Sequence, residues 1–149
     1  MRIDAGYLIG CLVLSAGTMF GCPAPGGAQE TATPGASKAD DGTTIVPLMN
    51  QALEGITGKE GTMLTVEYAP GASTIKHRHN AHTFVYVLQG SIVMQVAGGQ
   101  AVTLVPGQTF YESPSDVHSV SKNASGTDPA KFLVFFVKDK GSPPVIPAK

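Results

Sequence analysis

Five short apolar runs, each closed by glycine or proline, leave this chain few folds to adopt. Residues 62–69 end at Pro70-Gly71, 83–88 at Gln89-Gly90, 91–96 before Gly98-Gly99, 100–105 at Pro106-Gly107, and 109–112 before Pro114. Runs of this length, rich in β-branched and aromatic residues and punctuated by turn formers, read as strands of a sandwich or closed barrel. Two more follow, 117–121 and the most apolar, 131–137, which is expected to be buried on both faces. Residues 44–49 read as an edge strand, because Pro47 has no N–H to give a central ladder. No helix of useful length is visible. The predicted class is all-β, one domain over residues 43–140.

The flanks read differently. Arg2 precedes an apolar run over 7–20, and small residues with prolines follow to Ala28, the layout of a secretory signal peptide over 1–28. The apolar run is shorter than the roughly 18 residues of a spanning helix. Cleavage after Ala28 is expected, giving a secreted or periplasmic protein with no membrane insertion afterwards; an uncleaved anchor is the alternative. Both cysteines, Cys11 and Cys22, lie in this leader, so the domain has neither disulfide nor thiolate ligand. Cys22 leaves a lipid-anchored protein as a second reading, although Phe20 and Pro23 make a poor attachment box. Residues 29–42, polar and small, read as a flexible linker, and 141–149 as an extended tail. A formal net charge of −1 without a basic cluster argues against nucleic acid as a partner.

Histidine carries the chemistry. His77, His79 and His82 fall within six positions, and His118 stands alone. Side chains on a strand repeat every second residue, so His77 and His79 share a face. Two imidazoles on one face and a third from elsewhere make a metal site on a rigid sheet, and His118 is the candidate third.

With these residues in place, the sequence resembles the cupins, small β-barrels of the jelly-roll type. Their first motif, G-x5-H-x-H-x3,4-E-x6-G, is met by Gly71, His77, His79 and Gly90, and their second, G-x5-P-x-G-x2-H-x3-N, by Gly107 and His118. The resemblance spans about residues 45 to 138 and is closest in kind to small single-domain bacterial members. It departs at Thr83, which stands where the glutamate ligand would be. Ser113 and Ser115 replace the motif's proline and glycine, and Lys122 holds the asparagine position with Asn123 one residue late.

The resemblance implies one divalent metal on His77, His79 and His118, Fe(II) favoured, with Mn, Ni, Zn or Cu as alternatives. His82 is read two ways: turned inward beside the vacancy, since alternation is not yet enforced at a loop end, or exposed. The Thr83 hydroxyl reads as a partner for bound water or substrate. Three neutral imidazoles leave the ion its full charge, which favours an enolate, carboxylate or peroxide. Some three-histidine cupins are dioxygenases acting on diketones or thiols. Together with the leader, the resemblance therefore implies an exported protein that binds one metal ion, and it permits, without singling out, an oxygenase for a small anionic or enolisable molecule; a non-catalytic periplasmic small-molecule or metal binder is the alternative. Glu112 reads first as an ordinary polar strand residue and second as a base or outer partner of the site. Phe84, Tyr86, Met94, Phe110 and Tyr111 read first as barrel core and second as the lining of a pocket, and residues 138–140 as a solvated strand end. The open edge at 44–49 could pair between subunits, so a homodimer, and with it a purely structural oligomer, is a third reading.

Overall fold

The computed structural model describes residues 35–39 and 41–148. The leader over 1–28, with Cys11 and Cys22, lies outside the described residues. Among those described there is no helix, hence none long and apolar enough to cross a membrane. The strands are β1 (Ser37–Lys38), β2 (Thr43–Ala52), β3 (Lys59–Tyr68), β4 (His77–Arg78), β5 (His82–Gln89) and β6 (Ile92–Val96). They continue with β7 (Val102–Leu104), β8 (Thr109–Glu112), β9 (His118–Asn123), β10 (Ala130–Asp139) and β11 (Ile146–Pro147). One antiparallel sheet runs β1-β2-β3-β10-β5-β8 and the other β11-β4-β9-β6-β7. The expected closed barrel is thus two separate ladders, with no strand pairing across them among the described residues.

Alternation decides what each strand buries. On β5, Thr83, Val85 and Val87 are buried, and on β10, Phe132, Val134 and Phe136. They meet Ile92 and Met94 of β6 in one core with Leu64 and Val66 of β3. A 2.6 Å hydrogen bond between the hydroxyls of Tyr68 and Ser121 ties the two sheets together. Asn123, the late asparagine of the second motif, is buried and donates to the carbonyls of Ala69 (3.1 Å) and Asp128 (2.8 Å). Its side chain thus pins the loop before β10 to the end of β3.

Three expectations change. Phe84, Tyr86 and Tyr111 are not core: the inward phase belongs to the odd positions of β5 and the even positions of β8, so these rings lie outside, 44–48% exposed. Met94 is buried, and Phe110 packs against the core from a partly buried position. Lys138 is not solvated. It shares the inward phase of Phe132, Val134 and Phe136 and is buried against Glu60, its partner across the β3–β10 ladder. The flanks are also tied down: β1, within the linker stretch, pairs Ser37 with Ile45, and β11, in the tail, pairs Ile146 with Arg78.

Gly90 closes β5 at φ 70°, and a Cβ there would lie 2.5 Å from the Pro129 carbonyl oxygen and 2.8 Å from Ala130 Cα. Both contacts are backbone, so nothing can rotate away. Gly90→Ala is expected to cost about 3 kcal/mol, the left-handed penalty plus forced displacement of the β10 entry. Urea unfolding checks it; a loss under about 1 kcal/mol would contradict the close approach.

Candidate metal centre

His77 sits on β4, and His79 directly after it, where the chain crosses to the other sheet through Asn80 at φ 47°. Asparagine is one of the few side chains that tolerate that region. Burial alternates without a break from His77 to Val87, so His77, His79, Ala81 and Thr83 all point inward. His118 opens β9 directly opposite His77 in the β4–β9 pair. The three imidazoles are each less than a tenth exposed, and one donor atom from each lies within 4.8 Å of the others.

Two of the rings are held from behind. Nδ1 of His77 donates to the Ile75 carbonyl at 2.8 Å, and Nδ1 of His79 to the Pro144 carbonyl at 2.6 Å. A proton fixed on Nδ1 leaves the Nε2 lone pair free, which is how a metal-binding imidazole is oriented.

The remaining member is Glu112. It is 2% exposed, with one oxygen 3.3 Å from His118 Nδ1 and 3.8 Å from His79 Nε2. In the β5–β8 ladder it lies directly across from Thr83, which is completely buried. The carboxylate missing at position 83 is thus present one strand away. Neither Glu112 oxygen has a hydrogen-bond partner, nor do the two ring nitrogens of His118 or the Thr83 hydroxyl. Buried polar atoms are nearly always satisfied, so five in one cluster fit a bound cation with its ligands.

The structure does not bring His82 to this group. The uninterrupted alternation turns it outward, where Nδ1 meets the Tyr111 hydroxyl at 2.7 Å. The inward reading of His82 is set aside for that reason. Glu112, read first as an ordinary strand residue, is instead a buried acid beside the imidazoles of His79 and His118.

Burial fixes the protonation states. Desolvation holds His79 down to about 4, and it takes His118 to about 3, with the charges of neighbouring imidazoles adding to both shifts. Burial pushes Glu112 up to about 7, helped by the charge of Asp116. At neutral pH, His79 and His118 are therefore neutral, the form that coordinates a metal. The short Glu112 contacts are then imidazole–carboxyl contacts, not full ion pairs.

These three groups give the metal-free chain a definite pH dependence. The two histidines, depressed from 6.5, take up protons on unfolding as pH falls below that value. Glu112, raised from 4.5 to about 7, releases one on unfolding between those values. Between about pH 4.5 and 6.5 the balance is two taken up and one released, so stability rises by ~1.4 kcal/mol per pH unit. From about 6.5 to 7 only the Glu112 contribution remains, and stability falls. Denaturant unfolding of metal-free protein is expected to peak near pH 6.5; a minimum there would contradict these assignments.

The site lies in a cavity of about 300 Å³ between the sheets, lined by Leu64, Val66, Val85, Met94, Phe132 and Phe136 among others. A protein-family model described as a Cupin domain matches residues 64–136. Among solved structures, the chain is similar to an RmlC-like cupin from Shewanella frigidimarina NCIMB 400, at 14% identity and TM-score 0.60, over 76% of this chain and 95% of that one. It is similar to the polyketide cyclase RemF from Streptomyces resistomycificus at 24% identity and TM-score 0.56, over 78% and 75%. A third is the DMSP lyase DddQ from Ruegeria pomeroyi DSS-3, at 18% identity and TM-score 0.53, over 59% and 43%. At these identities the likeness is one of fold. None of the curated proteins matches this chain.

Proposed function

The chain belongs to the cupin superfamily, and we propose that within it this protein is an exported enzyme that uses one divalent metal ion, Fe(II) by preference, to oxygenate a small enolisable molecule. The observation that carries this reading is Glu112, a buried carboxyl beside two of the three imidazoles in a mostly apolar cavity that Asp41, Thr43, Thr74 and Ser121 also line. A divalent ion at His77, His79 and His118 supplies Lewis acidity toward an oxygen or sulfur donor.

The chain's own residues do the rest. Burial raises Glu112 to about 7 in the metal-free chain, and a divalent ion beside it would lower it again, leaving a carboxylate able to accept a proton at neutral pH. The Thr83 hydroxyl, buried opposite it, offers a hydrogen bond to the substrate. Among the described residues, no lysine or arginine lines the cavity. A permanently anionic substituent away from the ion would have no partner, so the reading favours a neutral molecule that loses its proton at the site. The apolar walls exclude water from the deprotonated form.

Metal analysis followed by oxygen uptake tests this. Iron-loaded protein is expected to consume oxygen with at least one diketone, thiol or phenol, and no uptake with any of them would overturn the oxygenase reading. A second reading, a non-catalytic periplasmic metal binder, is favoured by the same carboxyl acting as a fourth ligand; retained metal with no turnover would support it. Export predicts a mature protein beginning at Gln29. The homodimer belongs to this reading too: among the described residues, β1 and Ala39 bond β2 at Thr43, Thr44 and Ile45, and a second copy would pair along the remaining edge.

A further inference from the structure

The C-terminal segment leaves the first sheet at the end of β10, crosses to the second, and joins it as β11. On the way, the Pro144 carbonyl accepts the Nδ1–H of His79 at 2.6 Å, across 65 positions of sequence. Farther on, Pro147 pairs with His77, and Ala148 N–H donates to the Lys76 carbonyl at 3.2 Å. The segment therefore holds the backbone of one candidate ligand and the ring of another.

Its departure point is latched by a buried ion pair. Lys138 and Glu60 are each about 5% exposed and bonded to each other. Lys138 Nζ also donates to the Ser142 carbonyl at 2.8 Å, and Gly141 N–H donates to Glu60 at 3.2 Å. Asn50 Nδ2 completes the carboxylate at 3.2 Å. The bond to Lys138 holds Glu60 below its ordinary value, so the carboxylate remains charged at neutral pH. A buried ion pair brings little net stability compared with apolar side chains of like volume, so its presence asks for another use. Here both charges make further hydrogen bonds to the turn 141–142, the root of the strap.

We propose that residues 141–148 are a positioning strap: anchored at its root by Lys138 and Glu60, it fixes the His79 ring through the Pro144 carbonyl so that Nε2 faces the metal site. Lys138 and Glu60 are positioning residues acting through that carbonyl. The affinity arm of the test rests on the metal-site reading above; the tautomer arm does not.

The first measurement is made on the unaltered chain. Nitrogen-15 NMR of metal-free protein is expected to show His79 as the Nδ1–H tautomer, and an Nε2–H tautomer would overturn the proposal. The second compares Co(II) binding by the full chain, by Lys138→Met, and by a chain ending at Gly141. Each altered protein is expected to keep the β-sheet circular dichroism, lose the single His79 tautomer, and bind Co(II) about 10- to 100-fold more weakly, the usual cost of removing an imidazole's backing partner. A folded Lys138→Met or shortened chain with unchanged affinity and unchanged tautomer would also overturn it. If the unaltered protein binds no Co(II), the metal reading fails, and the tautomer comparison still decides the strap.

Discussion

Replacing His77 and His79 together by alanine is expected to abolish metal retention. A complete zinc site yields about 10–16 kcal/mol over four ligands, or roughly 3 kcal/mol each, so losing two weakens binding by about 10⁴-fold or more. Both rings are buried, and among the described residues His118 is the one other histidine lining the cavity, too few donors to hold the ion by itself. Metal content by atomic spectroscopy, measured after dialysis, is expected to fall from near one ion per chain to background. The metal-free proteins should differ much less, since each substitution removes one ring-to-carbonyl hydrogen bond. Equal metal in the two proteins, whether one ion or none, would end the three-histidine assignment.

The second large effect runs in opposite directions for stability and function. Glu112→Leu removes a buried carboxyl whose two oxygens have no hydrogen-bond partner. An unsatisfied buried polar group costs about 1–3 kcal/mol, so the metal-free variant is expected to be more stable by that amount. For a domain of this size, that corresponds to a rise of roughly 4–12 °C in Tm. The same variant is expected to lose about 10²- to 10⁴-fold in turnover if Glu112 accepts the substrate proton. Glu112→Gln, which keeps shape and polarity, should lose turnover without the gain in stability. A Leu variant that is less stable than the parent when metal-free would show that Glu112 has a structural partner after all.

The sequence carried the three-histidine site almost complete, because H-x-H in a strand needs only period two to place both rings on one face. His118 followed from motif spacing, and the structure puts it directly opposite His77. The closing carboxyl was less legible, because its place depends on ladder register: which residue of β8 faces Thr83 is decided by pairing. A signal was nonetheless present. In the run 109–112, Phe110 and Glu112 share one phase, so an acid stands on the same face as a core ring. Lys138 offers the same lesson, on the face of Phe132, Val134 and Phe136. The outward rings Phe84 and Tyr86 are not legible because β5 is apolar in both phases, and only the phase of His77 and His79, carried through Asn80, selects the odd positions; on β8, Tyr111 lies in the phase opposite to Phe110 and Glu112.

The pairing of Thr83 with Glu112 bears on how such sites are inherited. Facing positions of two neighbouring strands project into the same small volume, so either can supply the negative charge there. A lineage can then exchange glutamate for threonine on one strand while its neighbour keeps or acquires the acid, and the site's chemistry survives a change that linear comparison scores as a lost ligand. A motif broken on one strand can be whole across the ladder.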